Sequence, residues 1–276
     1  MLPTFLVIGA MKSGTTSLHA YLGAHPDVFM AEPKELDFFV EGKNLERGLD
    51  WYEERFGAAG DARARGEAST NYTKHPFFPD VPERIARVIP DVRLIYVVRH
   101  PIRRMVSQYL HHVAEYGERK PAAEALLSNP MIFALSDYAT QIERYLDHFS
   151  REQILIVTSE DLYGRRAETM RTIYRFVGAD DEKTPPTLDR ELHRTRDKAA
   201  PTALAERMPF LARLAESPAT PRSIARRLSR LTARRTAPES VPVPAEVERI
   251  LRERLRPTVE RLRAYMPPEF DGWGIG

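Results

Sequence analysis

Short, continuous apolar runs recur along the first two thirds of the chain. The clearest are residues 4–9 (TFLVIG), 92–98 (VRLIYVV) and 153–158 (QILIVT). A run this short with no polar alternation is typical of a strand that is buried on both faces of a parallel sheet. Two weaker segments, 28–30 and 65–68, complete the set of predicted strands.

Stretches with apolar residues at helical spacing separate these strands. They cover residues 16–23, 101–116, 133–149 and 167–177. Pro101 suits the first turn of its helix, where a missing N–H breaks no hydrogen bond, and Gly178 stands where glycine commonly ends a helix. Strands that alternate with helices predict an α/β fold, with a mostly parallel central sheet flanked by helices.

The pattern changes after Gly178, at the end of a predicted core of residues 1–178. Residues 179–244 form a basic segment rich in proline and arginine, in which 222–235 has the apolar stripe of a basic amphipathic helix. The role of the arginine-rich stretch 207–235 stays open between a lid, a face for an acidic acceptor and a helix on a membrane surface. Residues 245–276 predict a last helix and a tail, so the C-terminal part is helical within one domain spanning 1–276.

Composition narrows the classes of protein. The 276 residues suffice for one large α/β domain, and 41 Lys and Arg against 39 Asp and Glu give no bulk charge for binding nucleic acid. Because cysteine is absent, disulfides and thiolate metal sites are excluded and a reducing compartment is expected. The first residues resemble no secretion signal and no apolar run could span a membrane, so we expect a cytoplasmic protein with no integral membrane segment.

A glycine-rich turn joins the first strand to the first helix. Residues 9–16 (GAMKSGTT) have the glycine spacing of the GxxxxGK[ST] phosphate loop, but the lysine stands three residues early. Backbone N–H groups at a helix N-terminus, with nearby hydroxyls, can still hold a phosphate. A simple glycine turn with an exposed lysine is the alternative. The candidate phosphate-binding residues are Lys12, Ser13, Gly14, Thr15, Thr16 and Ser17.

A second motif follows the strand at 92–98. Where phosphate-loop NTPases commonly keep an aspartate that helps to hold magnesium, this strand ends in Arg99. Arg104 and Ser107 follow on the next helix, and together they predict a second anion site. A solvated or ion-paired helix face is the alternative. Two anion sites without a metal-binding aspartate favour a nucleotide that is phosphorylated at two positions.

These segments resemble the sulfotransferases that use 3′-phosphoadenosine 5′-phosphosulfate (PAPS). MKSGTTSL (11–18) is similar to their 5′-phosphosulfate motif and VVRHPIRRMVSQY (97–109) to their 3′-phosphate motif. EPKELDFF (32–39) and ILIVTSEDL (154–162) resemble further family segments, the first of the heparan-sulfate or carbohydrate type. The resemblance implies a P-loop-like domain in which Lys12 contacts the 5′ phosphate, Arg99 and Ser107 hold the 3′-phosphate, and Glu35 is the general base.

Some positions depart from the family pattern. Leu36 and Asp37 replace a proline and a histidine, Ala68 replaces a lysine, and the cysteine pair of the secreted-pathway members is absent. A salt bridge to Lys34 or to an arginine is the alternative role of Glu35. Glu67, His100 and His75 are weaker candidates for the base. Arg194 and Arg196, in HRTRDK (193–198), stand where the family often closes a basic loop over the nucleotide.

The expected activity is transfer of a sulfo group from PAPS to a hydroxyl or amine of a carbohydrate or small-molecule acceptor. The transfer would be an in-line displacement that leaves adenosine 3′,5′-bisphosphate and requires no metal, with Lys12 offsetting charge on the leaving phosphate. The alternatives are a P-loop kinase for a small molecule and a catalytically silent nucleotide-binding protein. The sequence leaves the acceptor and the oligomeric state open.

Overall fold

Five parallel strands form the central sheet in the computed structural model, which describes residues 1–183, 185 and 241–275 and the backbone of 199–200 and 235–236. The strands are β1 (Phe5–Gly9), β2 (Val28–Met30), β3 (Ala64–Ala68), β4 (Arg93–Val98) and β5 (Ile154–Thr158), in the order β2-β3-β1-β4-β5. All five predicted strands, the three apolar runs and the two weaker segments, are confirmed to within one residue at each end. A two-residue antiparallel pair, β6 (Ala199–Ala200) with β7 (Arg235–Thr236), lies apart from this sheet.

The central strand β1 pairs with β3 on one side and with β4 on the other, both in parallel. Its register places Val7 beside Ala68 and Ile95. The pairing with β4 shifts between Val7 and Gly9, where the chain begins to leave the sheet for the glycine-rich turn. All five residues of β1 are buried, as its apolar run predicts.

Ten α-helices lie in the described part of the chain. They are α1 (Thr15–Gly23), α2 (Gly48–Glu54), α3 (Val81–Val88), α4 (Pro101–Tyr116), α5 (Ala122–Ser128), α6 (Pro130–Ala134), α7 (Tyr138–Leu146), α8 (Ser159–Gly164), α9 (Arg166–Val177) and α10 (Ala245–Arg263). The last of these confirms the helical C-terminal segment. The helix predicted at 222–235 lies outside the described residues, and the proposed domain boundaries stay a prediction.

The single helix predicted at 133–149 is wrong, because α6 ends at Ala134 and α7 begins at Tyr138. Asp137 caps α7, with its carboxylate accepting the Thr140 N–H at 3.2 Å. Ser136 is buried between the two helices and accepts a hydrogen bond from Arg104 at 2.7 Å. The hydrogen bonds of the Ser136 and Asp137 side chains compete with the backbone hydrogen bonds of a continuous helix. They therefore favour a break between α6 and α7.

Helices cover both faces of the sheet. Alternate residues of β1 point to opposite sides: Phe5 and Val7 pack with α1 and α9, whereas Leu6 and Ile8 pack with α3 and α7. A third apolar cluster joins α4, α5 and α10 and includes Trp273 of the tail. This core holds the carboxyl ends of the strands in fixed positions, and the loops there form the site.

Within the described residues, no helix combines the length and apolar character that a membrane crossing requires. The cytoplasmic location stays a prediction.

Candidate active site

A cavity of about 1030 Å³ opens at the carboxyl ends of the parallel strands. The loops after four strands reach its wall: Lys12 follows β1, Thr70 follows β3, Arg99 follows β4 and Ser159 follows β5. In open α/β sheets, ligands bind outside this edge, where neighbouring strands are distant in the chain. β1 and β4 are such a pair, and both predicted anion motifs follow them.

The glycine-rich turn bends sharply into α1. Gly14 takes the left-handed conformation with φ 97° and directly precedes the helix, and Lys12 is also left-handed with φ 71°. The Leu18 N–H donates to the Gly14 carbonyl at 3.0 Å. The residues before Leu18 lie in the first turn of α1. The helix itself supplies no acceptor for the backbone N–H groups of its first turn. The positive end of α1 therefore faces the cavity, where an anion is stabilised.

Not every residue of the predicted cradle faces this cavity. Lys12, Gly14, Thr15, Thr16 and Ser17 all line it. Ser13 does not, because its side chain is buried and its N–H donates to the Ala10 carbonyl at 3.1 Å. Ser13 thus contributes to the shape of the turn.

Arg99 joins the two anion motifs. Its Nη1 donates to the Lys12 carbonyl at 3.2 Å, across 87 residues of chain. The Tyr138 hydroxyl donates to the Arg99 carbonyl at 2.7 Å. Burial raises the pKa of Tyr138 to about 12, so the phenol keeps the proton that it donates. Ser107 lines the same cavity from α4.

Arg104 belongs to the protein interior and not to the anion site that its spacing predicted. It is fully buried, and its guanidinium donates to Ser136 Oγ at 2.7 Å, Gln108 Oε1 at 2.7 Å and the Ile132 carbonyl at 2.6 Å. Each of its side-chain nitrogens therefore has a protein acceptor. Burial lowers the pKa of Arg104.

Glu35 lines the cavity and is held by neighbouring groups. Its backbone is left-handed with φ 64°, and its N–H donates to the Ala68 carbonyl at 3.0 Å. One carboxylate oxygen accepts the Thr70 N–H at 2.6 Å and the Thr70 hydroxyl at 3.2 Å. The other accepts a hydrogen bond from Lys34 Nζ. The structure thus places this predicted base in the cavity, within an ion pair.

Asp37, two residues further on, also lines the cavity and is 7 % exposed. Asn71 Nδ2 donates to its Oδ2 at 2.6 Å. Burial and the neighbouring Glu35 charge raise the pKa of Asp37 to about 6, against the opposing hydrogen bond from Asn71. The sequence showed Asp37 only as a departure from the family pattern, and gave no signal of its burial.

The other candidates for a base lie outside the cavity wall. Glu67 is buried and accepts hydrogen bonds from the hydroxyls of Tyr52, Tyr72 and Ser69 at 2.8, 2.6 and 2.6 Å. Burial raises the pKa of Glu67 to about 7. The backbone N–H of His100 donates to the Glu160 carboxylate, and the backbone N–H of His75 donates to the side-chain oxygen of Gln141. None of the three lines the cavity.

Several lining residues escaped the sequence analysis. Three lysines, Lys34, Lys43 and Lys74, lie on the wall beside the two carboxylates. Burial lowers the pKa of Lys74. Tyr163 stands over the phosphate loop, with its hydroxyl 3.2 Å from Ser17 Oγ. Of these residues, only Lys34 was named from the sequence, as an ion-pair partner for Glu35, and the structure shows that pair.

Two predicted site residues, Arg194 and Arg196, lie outside the described residues. Among residues 1–183 and 241–275, no cluster of three or more histidine, aspartate or glutamate side chains has the arrangement of a metal site.

The parallel sheet, the glycine turn at its edge and the arginine after β4 form an α/β domain of the P-loop-like class. Residues 2–209 match the model of the sulfotransferase domain, and the chain belongs to that family. Sulfo transfer is the chemistry of the family, and the match favours it over a small-molecule kinase.

Individual relatives agree with this assignment. The bifunctional heparan sulfate N-deacetylase/N-sulfotransferase 1 of Xenopus laevis is 30% identical over 197 residues, and that of Mus musculus is 32% identical over 197 residues. Each alignment covers 64% of this chain and 22% of the relative, so the chain spans about a fifth of their length. A sulfotransferase crystal structure from Alicyclobacillus acidocaldarius is 25% identical, with a TM-score of 0.72 and 99% of both chains covered.

Proposed function

We propose that this protein transfers a sulfo group from PAPS to an amine or hydroxyl of a carbohydrate acceptor, and releases adenosine 3′,5′-bisphosphate. The observation that carries the proposal is the hydrogen bond between Arg99 Nη1 and the Lys12 carbonyl at 3.2 Å. This bond holds the two candidate anion-binding elements side by side on one cavity. PAPS is a nucleotide with an anionic group on each side of one ribose.

The phosphate loop would hold the 5′ end of the donor. Lys12 and the first turn of α1 face the cavity, and their positive charge offsets the charge that grows on the leaving phosphate. Arg99 and Ser107 would hold the 3′-phosphate. In the transfer, the bond from sulfur to the bridging oxygen breaks as the acceptor atom bonds to sulfur. The acceptor proton passes to a base, the role that the family resemblance gives to Glu35.

The acceptor side of the cavity combines cations with aromatic rings. Lys34, Lys43 and Lys74 line it together with Phe77 and Phe78. Rings of this kind pack against sugar faces, and lysines attract an anionic chain. The relatives named heparan sulfate N-sulfotransferases lead us to propose an unsubstituted glucosaminyl amine as the acceptor group.

The test is incubation with PAPS labelled in its sulfo group. An oligosaccharide with unsubstituted glucosaminyl amines should gain one sulfo group per modified amine, detected by mass, and its N-acetylated counterpart should gain fewer or none. Calorimetry should show metal-independent binding of adenosine 3′,5′-bisphosphate, which Lys12→Ala weakens. Tight nucleotide binding without transfer to either oligosaccharide or to any component of a cell extract would favour a silent binding protein.

A further inference from the structure

A chain of hydrogen bonds runs along one face of α4, from the protein interior to the cavity. It joins Arg104, Gln108 and His112, which stand four residues apart and therefore share a face of the helix. We propose that Arg104 and Gln108 are positioning residues that hold His112 as a neutral imidazole with its proton on Nδ1, and that this N–H binds an oxygen of the acceptor. The proposal rests on the proposed function and deepens it, because it names a residue that binds the acceptor.

The first bond of the chain fixes the orientation of the Gln108 amide. Arg104 Nη1 lies 2.7 Å from Gln108 Oε1, and both side chains are fully buried. A guanidinium can only donate hydrogen bonds, so the amide atom that faces it must be the oxygen. The NH₂ group of Gln108 is therefore the end of the amide that meets His112.

The second bond fixes the proton of His112. Gln108 Nε2 lies 3.3 Å from His112 Nε2. Because an amide nitrogen can only donate, His112 Nε2 must accept and carries no proton. An imidazolium would set two donors against each other, so the ring is neutral and keeps its one proton on Nδ1. The tautomer follows from the guanidinium, the group in this chain whose protonation is fixed.

The positive charge of Arg104 strengthens the chain. Its three acceptors, Ser136 Oγ, Gln108 Oε1 and the Ile132 carbonyl, are all neutral groups. A charged donor polarises the amide that accepts from it, so the Gln108 N–H becomes a stronger donor. The buried cation thus disfavours a proton on His112 Nε2.

The surroundings of His112 agree with a neutral ring. The residue is half-buried, and the Tyr116 ring packs edge-on against it with the ring centroids 5.7 Å apart. Burial is the main cause that lowers the pKa of His112. The charges of Arg104 and Lys74 lower it further, while the Glu118 carboxylate acts in the opposite sense.

His112 lines the cavity with one ring nitrogen unused by its neighbours. Nε2 is occupied by Gln108, whereas Nδ1 forms no hydrogen bond with a described residue. Nor does Nδ1 belong to the buried polar atoms that lack a partner in the described part of the chain. An oxygen of a ligand in the cavity can accept this N–H.

His112 lies on the acceptor side of the cavity. It stands five residues beyond Ser107 on α4, about 7.5 Å along the helix from the group assigned to the 3′-phosphate. The charge of Lys74 acts on His112 and is in turn affected by Glu35, the proposed base. An acceptor whose reacting amine or hydroxyl meets Glu35 can therefore place a neighbouring oxygen against His112 Nδ1.

The experiment compares three replacements of His112, with labelled PAPS and the unsubstituted glucosaminyl oligosaccharide as probes. His112→Phe keeps a ring but loses the N–H, so the acceptor KM should rise about 5- to 10-fold, the value of one neutral hydrogen bond. The kcat and the KM for PAPS should stay at the wild-type level. His148→Phe is the matched control, because His148 is exposed and does not line the cavity, and it should match the wild type.

The two amide replacements separate the ring nitrogens. His112→Asn can place an amide N–H where Nδ1 stands, and should return the acceptor KM to within about 2-fold of the wild type. The longer side chain in His112→Gln reaches the position of Nε2 instead, and should be as impaired as His112→Phe. Equal impairment of the two amide variants would contradict the role of Nδ1.

Nitrogen-15 NMR of the imidazole side chains reads the tautomer without any acceptor. At about pH 7.5, above the usual pKa of histidine, the His112 ring should carry a proton on Nδ1 and none on Nε2, with its signals identified by their loss in His112→Phe. Gln108→Glu offers carboxylate oxygens to both Arg104 and His112, so it should bring a proton to His112 Nε2. A wild-type ring with Nε2 already protonated overturns the proposed tautomer.

The failures are distinguishable. A wild-type protein that transfers no sulfo group overturns the proposed function together with the acceptor role of His112. Transfer by the wild type, with an unchanged acceptor KM in His112→Phe, overturns the role of His112 alone. Affinity for adenosine 3′,5′-bisphosphate at the wild-type level would show that each variant is folded.

Discussion

Arg99 and Arg104 stand five residues apart in one sequence motif and have different environments. Arg99 is half-buried on the cavity wall and bonds to the Lys12 carbonyl. Arg104 is fully buried, and its bonds go to Ser136, Gln108 and Ile132. The sequence could place Arg99 directly after β4 and Arg104 on the next helix, but it could not separate their roles. The acceptors of Arg104 lie on α4, on α6 and between α6 and α7.

Replacing each arginine by methionine should therefore give different results. Arg104→Met removes the partner of buried polar groups and should lower the free energy of unfolding by about 3 kcal/mol. Arg99→Met should change stability by less than about 1 kcal/mol and weaken adenosine 3′,5′-bisphosphate binding by about 10- to 100-fold, the value of a charge-assisted hydrogen bond. Urea unfolding and calorimetry measure the two quantities, and equal destabilisation by both variants would contradict the distinction.

Glu67 should make stability depend on pH. Its pKa rises from 4.5 in the unfolded chain to about 7 in the folded protein, mainly through burial. The folded state then binds the proton more tightly, so stability falls as the pH rises from 4.5 to 7 and is not regained above that. Relative to Glu67→Gln, the wild type should lose up to about 3 kcal/mol over this range. Urea unfolding at pH 5 and pH 7.5 tests this, with Glu54→Gln as a surface control whose slope should match the wild type.

Among the elements, the strands were the most predictable. A strand that is buried on both faces needs apolar residues at successive positions. Such a run can be recognised in the local sequence, without knowledge of the rest of the fold. The gap between α6 and α7 was not predictable, because Asp137 also bonds to Thr258 and Arg261 of α10, more than 120 residues away. The same limit applied to Asp37, whose burial depends on the packing of β3 and the turn that follows it.

Gly66 offers a test of sheet packing. It lies on β3 opposite Phe5 of β1, and a Cβ at this position would lie 2.2 Å from the ring carbon Cζ of Phe5. Gly66→Ala should lower the free energy of unfolding by about 1–3 kcal/mol, the usual penalty for overpacking a core. Gly57→Ala is the matched control, because nothing lies within 4 Å of its added Cβ. Similar unfolding curves for the two variants would contradict this account of the strand contact.

In the whole molecule, the C-terminal tail packs beside the site. Trp273 Nε1 donates to Glu160 Oε2 at 3.3 Å, and Glu160 Oε1 accepts the His100 N–H at 3.1 Å. The Trp273 ring also lies 6.1 Å from that of Tyr138, which holds the Arg99 carbonyl. The sequence could predict the two candidate anion-binding loops because they directly follow strands. The contact of Trp273 joins parts of the chain that share no local pattern.

Trp273→Leu should affect both stability and ligand binding. The loss of a half-buried indole should lower the free energy of unfolding by about 2 kcal/mol. Because the neighbouring Glu160 and Tyr138 hold the segment that carries Arg99, affinity for adenosine 3′,5′-bisphosphate should also fall by about 3- to 10-fold, or about 1 kcal/mol. Trp51→Leu should reduce stability without changing the affinity, since Trp51 lies on α2, packs against Arg47 and does not line the cavity. An unchanged affinity in Trp273→Leu, measured by calorimetry, would contradict this link.

The bond between Arg99 and the Lys12 carbonyl also bears on which nucleotides the protein rejects. It joins the two candidate anion-binding elements, the turn that carries Lys12 and the residue that follows β4. ADP has two phosphates, as adenosine 3′,5′-bisphosphate does, but both are attached through the 5′ carbon of the ribose. On the proposed assignment of these elements, ADP would occupy one and leave the other unfilled, so the protein would select its ligand by where the phosphates are attached and not by how many there are.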